Sequence, residues 1–361
     1  MKAAVFHEVN KPLQIEEVQI HKPAAREVLV KTAATGVCHS DLHFITGAYP
    51  FPTPAILGHE SSGIVEAIGS EVRYVKPGDH IITCLSAFCG HCEYCLTGHM
   101  SLCESPELQR QKDQEPRLAQ NGGEMNQFLH LSSFAEQMLI HEHALVKIRE
   151  DMPLDRAALI GCAVTTGVGA VFHTARVEPG TTVAVIGCGG IGLSCINGAA
   201  IAGAQRIIAI DRVQSKLDLA KEFGATDCID ASEVDPVKQV REWTAGGVHY
   251  SFEAIGLKVT AEQSFRMLRP GGAATIIGMI PVGTNIEIHG PEFLREKRIQ
   301  GSNMGSNRFR VDMPRLVDFY LSGKLKLDEM ISQRIKLEQI NEAFDELHAG
   351  KLARSVIVFD H

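Results

Sequence analysis

The stretch Thr182-Val183-Ala184-Val185-Ile186, followed at once by Gly187-Cys188-Gly189-Gly190-Ile191-Gly192, constrains the fold of this 361-residue chain more than any other. Four of the first five residues are β-branched, which favours a short buried strand. The glycines then turn the chain into a small-residue helix, Leu193 to Ala202. A second strand follows at Arg206-Ile207-Ile208-Ala209-Ile210, and Asp211 stands at its end, 19 residues after Gly192. Strand, G-x-G-x-x-G, helix and acidic residue in this order make a dinucleotide-binding turn. The glycines allow the tight turn, the approach of a pyrophosphate and close helix packing, so Gly187, Gly189, Gly190, Ile191 and Gly192 are read as cofactor-binding. The helix N-terminus favours the phosphate charge. Asp211 would accept from an adenosine ribose 2′-OH and would repel a 2′-phosphate, so NAD is expected, while the adjacent Arg212 leaves room for NADP.

Strands and helices continue to alternate after this turn. Gln214 to Phe223 has helical spacing, and strands are expected near Val248–Phe252 and Ala273–Ile277. Such alternation implies a parallel sheet wound by right-handed crossovers. Before residue 164 the pattern differs: short β-like runs such as Glu27–Lys31, Gly63–Ile68 and Asp79–Ile82 are broken by Gly and Pro. The length is too great for one core, so two domains are expected. The partition read from the sequence is a mostly β domain over 1–163, a cofactor domain over 164–303, and a return to the first domain over 304–361. The polar segment Glu104 to Asn126 reads as a surface loop.

Composition excludes some functions. A net charge of −8 argues against a nucleic-acid binder, which should present a basic face. The longest uncharged stretch, Thr181 to Gln205, holds six Gly and reads as strand, turn and helix rather than as a membrane span. The N-terminus lacks a secretory apolar run, so a cytoplasmic location and reduced thiols are expected for the ten Cys.

Cys89, Cys92 and Cys95, followed by Cys103, form the strongest local signal. Four thiolates at this spacing can enclose one Zn²⁺ and leave no open position, which is a structural site within a lobe over 88–104. Reduced surface cysteines or a disulfide pair are the plain alternatives, and an iron–sulfur cluster, which four Cys could also hold, is a weaker one that rests on ligand count alone. His91 and His99 stand nearby and are not needed as ligands.

Cys38-His39-Ser40-Asp41-Leu42-His43 and Gly58-His59-Glu60 add a dense set of polar groups, and taken alone they would read as turns with satisfied histidines. Together with the four-Cys lobe and the dinucleotide turn, they give the chain a full-length resemblance to the zinc-dependent alcohol dehydrogenases of the medium-chain dehydrogenase/reductase superfamily. Within it, the long Glu104–Asn126 segment resembles the long-loop, liver-type and bacterial branch. The resemblance implies an α/β architecture: a GroES-like, mostly β catalytic domain plus a Rossmann doubly wound parallel-sheet domain. It implies that Cys38, His59 and Cys162 hold a catalytic zinc, with Asp41 and Glu60 in support, and so two Zn²⁺ per subunit. It implies that Ser40 and His43 relay the proton of a zinc-bound alkoxide through the nicotinamide ribose. Thr166 would contact the nicotinamide, Lys216 the adenosine ribose, and Arg354 the pyrophosphate. A homodimer, or else a tetramer, is implied in the same way.

Two departures from the family pattern bear on specificity. His39 stands where many members place a pyrophosphate-binding Arg, and Leu85 where liver-type members often place an aromatic. With Ser40 in place of the larger Thr, the pocket is expected to be roomy, with Phe128 and Met279 as outer walls. The implied function is interconversion of alcohols with aldehydes or ketones. One alternative is the glutathione-dependent formaldehyde-oxidising branch, for which Arg110 and Arg117 are the available loop cations. A polyol dehydrogenase fits less well, because the four-Cys lobe is complete. A non-enzymatic nucleotide-binding protein is the alternative of another class.

Overall fold

The computed structural model describes residues 1–111, 113–120, 122–350 and 353–360. It divides into two compact units, Met1–Ala163 with Arg308–Ser322 and Ile331–His361, and Val164–Asn307 with Gly323–Met330.

The first unit is built on the strand Glu27–Gly36, whose alternate residues are buried. Val28 and Val30 pack with Val65, Ile81 and Ile140 in one core, as period-2 patterning requires of a strand with one buried face. Ser61–Ile68 runs antiparallel beside it, and Gln137–His141 and Ser355–Val358 pair along its other edge. The strand ends next to the start of its partner, with Thr35 opposite Ser61, and Gly36 N–H donates to the Glu60 carbonyl at 2.8 Å. Whatever follows residue 36 and whatever precedes residue 61 are thereby brought together.

The second unit holds a six-stranded parallel sheet. Its order is Asp227–Asp230, Arg206–Asp211, Thr182–Ile186, Val248–Glu253, Leu268–Ile276, Arg298–Gly301. The winding reverses between Thr182–Ile186 and Val248–Glu253, the switch point where ligands enter such sheets.

Two features differ from the partition read in the sequence. Residues 304–307 and 323–330 pack with the second unit rather than returning with the tail. Buried Asn197 is the reason for the second: its Oδ1 accepts from Lys326 N–H at 2.9 Å and its amide donates to the Lys324 carbonyl at 3.3 Å. The other difference is the polar segment 104–126, which is not a plain surface loop. Leu118–Gln120 pairs with Gln19–Ile20 and with Gly123–Glu124, and Leu108, Leu118 and Met125 are buried. Arg110 and Arg117 converge on buried Glu27, with Arg117 Nε donating at 2.7 Å. Lys112 and Asn121 lie outside the described residues.

Among the described residues, one helical run is long and apolar enough to cross a membrane, Leu154–Ala175, and 83% of its most apolar 18-residue window is buried inside the protein. It is a core helix, and π-turns interrupt it at Ile160–Val164 and Ala170–Ala175.

Candidate active site

Backbone geometry assembles the first candidate metal centre. Cys38 caps the short helix His39–Ile45, two residues beyond the strand Glu27–Gly36. His59 precedes the neighbouring strand, and Gly58 before it has φ +91°, where a Cβ would lie 2.7 Å from Phe134 N. Cys162 sits in the π-turn of the core helix, a distortion common at functional sites. Gly161 lets that turn approach, since a Cβ there would lie 3.1 Å from both Ser61 N and the Thr83 carbonyl. The ligand atoms of Cys38, His59 and Cys162 lie within 4.8 Å of one another, and all three residues are buried.

The donor set fits a zinc ion with an open position: two thiols and one imidazole, with no fourth protein ligand in the group. Asp41 Oδ1 accepts from His59 Nδ1 at 3.0 Å and from Gly58 N–H at 3.1 Å. That leaves Nε2 as the nitrogen free to bind metal. Burial pushes the Asp41 carboxyl up and the His59 charge pulls against it. Burial opposes a charge on His59, but Asp41 and Cys38 outweigh it and raise the imidazole well above its ordinary value. Cys38 is held well below the usual thiol range, first by the hydrogen bond from Cys162, which in turn keeps its own proton. The pair thus presents a ready thiolate to a cation.

Glu60 lies beneath this centre with no exposure. Its Oε2 accepts from Ala163 N–H at 2.9 Å and from Arg354 Nη2 at 3.2 Å, and burial pushes the carboxyl up to about 7. Arg354 is itself buried and also donates from Nη1 to the Val37 carbonyl at 3.1 Å. The guanidinium expected at a pyrophosphate is therefore engaged by Glu60 in this structure. Ser40 Oγ lies 3.6 Å from Cys38 Sγ. His43, three residues on along the same helix, is half-buried, and burial lowers its pKa. His39 is exposed, with its ring 5.3 Å from that of His43.

The remaining pocket candidates fall differently. Phe128 is fully buried, with its ring 6.0 Å from His59 and in edge contact with Phe44 and Phe51. Phe44 and Phe51 were not singled out in the sequence, where nothing in their spacing marks them. Leu85 is partly buried and packs on the core around Val28 and Leu131. Met279 is half-buried in the second unit, its backbone against Gly256.

The four-Cys lobe is closed. Cys89 and Cys95 sulfurs lie 3.8 Å apart, Cys92 and Cys95 3.5 Å, and Cys92 and Cys103 3.8 Å. Bonds of about 2.3 Å to a tetrahedral zinc require sulfur separations of about 3.8 Å, so the set fits that ion. Burial opposes ionisation of Cys89, yet the His91 and Cys92 amides draw its thiol down to about 6. His91 is turned to Glu107 at 2.9 Å. All ten cysteines are free thiols.

In the second unit, the dinucleotide turn has the form its glycines dictate. A Cβ on Gly192 would lie 1.7 Å from the Gly187 carbonyl, whereas one on Gly189 would meet no atom within 4 Å. Gly189 therefore leaves open space at the N-terminus of the twelve-residue helix Gly190–Ile201, which suits a phosphate. Asp211 Oδ2 accepts from Cys188 N–H at 2.8 Å and Oδ1 from Arg212 N–H at 2.7 Å, so the carboxylate is fixed at the strand end. Lys216 lies in the first turn of the next helix, Gln214–Glu222. Thr166 donates its hydroxyl to Met304 Sδ at 3.3 Å.

Comparison with known proteins gives matches over the whole chain. Residues 24–150 match the family model "Alcohol dehydrogenase GroES-like domain", and residues 190–322 match "Zinc-binding dehydrogenase". A class-3 alcohol dehydrogenase of Myxine glutinosa is 39% identical over 99% of this chain and 97% of its own. An alcohol dehydrogenase zinc-binding domain protein of Burkholderia ambifaria superposes with a TM-score of 0.95 at 36% identity, covering 100% of this chain and 99% of that one. The benzyl alcohol dehydrogenase of Acinetobacter calcoaceticus gives 0.94 at 33% identity, covering 99% of each. A Sinorhizobium meliloti 1021 protein solved with NADP bound gives 0.83 at 30% identity, also covering 99% of each.

Proposed function

The chain belongs to the zinc-binding alcohol dehydrogenases, which interconvert alcohols and carbonyl compounds, and we propose that this member uses NAD and acts at the centre of Cys38, His59 and Cys162. The observation that carries the reading is that buried Cys₂His donor set with its Asp41 support. When bound, zinc polarises the alcohol or carbonyl oxygen, and the nicotinamide takes or returns the hydride.

The chain's own residues do the rest. Cys38, His59 and Cys162 hold the ion, and Asp41 keeps the His59 proton on Nδ1 and the ring in place. Ser40 Oγ, beside Cys38, takes the substrate hydroxyl proton. His43, half-buried on the same helix with its pKa lowered by burial, accepts that proton in turn. Arg354 offsets the Glu60 charge beneath the site. Cys89, Cys92, Cys95 and Cys103 hold a second zinc with no open position.

The NAD preference rests on Asp211, whose fixed carboxylate would face a 2′-phosphate. The NADP-bound relative shows that proteins of this fold also take the phosphorylated dinucleotide. Arg110 and Arg117, the arginines that a glutathione carboxylate would need, are both spent on Glu27. That disfavours the glutathione-adduct reading, which the class-3 relative keeps in view. The test is a panel of primary, secondary and aryl alcohols and S-hydroxymethylglutathione, with NAD and NADP in parallel, read at the reduced-nicotinamide band. Turnover of simple alcohols with NAD is expected. Turnover of the glutathione adduct alone, or with NADP alone, would reject the reading.

A further inference from the structure

Glu253 closes the strand Val248–Glu253 at the switch point of the sheet, in register with Ile186, the residue before the dinucleotide turn. It is fully buried. Its Oε1 takes three donors: Ile255 N–H at 2.9 Å, Gly256 N–H at 2.8 Å and the Thr260 hydroxyl at 2.8 Å. Its backbone carbonyl accepts from Ile277 N–H at 2.9 Å and Gly278 N–H at 3.0 Å. Its Oε2 has no hydrogen-bond partner. A buried carboxylate whose one oxygen takes every donor and whose other takes none does not complete a network, and such groups ask for a reason.

The surroundings show what Oε1 and the main chain around it hold in place. A Cβ on Gly278 would lie 2.1 Å from Gly256 N and 2.6 Å from Glu253 Oε2. A Cβ on Gly256 would lie within 2.5 Å of the Met279 carbonyl oxygen. The Cβ space of Gly187, the first glycine of the turn, is filled by Ile255 Cγ1 at 2.6 Å. Three backbone segments therefore meet without side chains between them: the turn at Gly187, the loop Ala254–Gly256, and Gly278–Met279. The Glu253 side chain holds the loop through Oε1, while its main-chain carbonyl ties Gly278 as any residue's would.

We propose that Glu253 is a positioning residue for the dinucleotide: its Oε1 fixes the loop Ala254–Gly256, which seats Ile255 against Gly187 and Gly256 against Gly278–Met279, and so sets the mouth of the crevice into which the cofactor fits. The proposal rests on the dinucleotide-dependent reading above. It works through shape, so an isosteric amide should serve and a truncation should not.

NADH binding to the zinc-loaded enzyme, followed by quenching of protein fluorescence, separates the cases. Glu253→Ala should weaken NADH by about twentyfold, with the loss falling on KM for NAD rather than on kcat. Glu253→Gln keeps an oxygen for the three donors and should stay within about threefold of the parent. Gly278→Ala forces a methyl into the Gly256 contact and should weaken NADH by about tenfold. It carries the test should Glu253→Ala fail to fold. Parental affinity in Glu253→Ala or Gly278→Ala, or equal loss in Glu253→Gln and Glu253→Ala, overturns the proposal and leaves the functional reading standing. A wild-type enzyme that binds neither NADH nor NADPH overturns both.

Discussion

Replacing Asp41 with Asn changes one property of the metal centre at a time. The residue is fully buried, and its Oδ1 accepts from His59 Nδ1 at 3.0 Å and from Gly58 N–H at 3.1 Å, while Oδ2 has no partner. Asparagine can keep its carbonyl in the Oδ1 position and place its amide where Oδ2 stood, so both hydrogen bonds survive without the charge. A charged acceptor contributes about 1 kcal/mol more to the His59 hydrogen bond than a neutral one, and losing the carboxylate's attraction to the cation costs about as much again, roughly 2 kcal/mol in all. That corresponds to about thirtyfold in zinc affinity, within the range of about ten- to a hundredfold usual for groups that orient metal-binding histidines. The assay is competition with a chromophoric chelator on the zinc-loaded enzyme. The four-Cys lobe is an internal control, since none of its hydrogen bonds involves Asp41. One zinc should leave about thirtyfold more readily than in the parent, and the other should be unchanged. Release of both ions at parental affinity would show that Asp41 does not support His59 in the way described.

Two further outcomes follow from other parts of the chain. Burial raises the Glu27 pKa, but Arg110 and Arg117 outweigh it and leave the group lowered when folded. Its contribution is therefore complete above the unfolded value of about 4.3 and is lost as pH falls through the lower folded value. Glu27→Gln should cost about 3 kcal/mol in urea denaturation at pH 7, with the gap to wild type narrowing in acid; a constant gap across pH would refute the charge argument. Gly189→Ala meets no protein atom, so it should melt like the parent yet bind NADH at least about tenfold more weakly. Unchanged affinity would place the phosphate elsewhere.

What the sequence made legible was local. The turn Gly187–Gly192 and the cysteines 89, 92, 95 and 103 lie within a few residues of one another, and the structure has a tight turn at the first and groups the four sulfurs of the second. Cys38, His59 and Cys162 were different. They join only because two strands pair with Thr35 opposite Ser61 and because Gly161 admits the core helix. No spacing rule encodes that, and only the resemblance to a family named the set. The segment 104–126 was misread because its polar residues hide an ion pair: Arg110 and Arg117 find Glu27 across more than 80 residues. Asn197 was a legible oddity, a polar residue amid a buried helix, but its partners at Lys324 and Lys326 lie beyond any local pattern. Arg354 was placed at a phosphate by resemblance, and its pairing with Glu60 follows from the strand that sets Val37 beside Ser355.

On the proposed function, the buried Cys₂His group binds the zinc on which alcohol turnover depends, while the lobe binds another. Elemental zinc per chain, measured on wild type and Cys38→Ala beside NAD-linked alcohol oxidation, tests it most directly. About two zinc ions in wild type, about one in the variant, and turnover reduced by at least about a thousandfold are the expected results. A Cys38→Ala enzyme that keeps both ions and the parental rate would contradict the account.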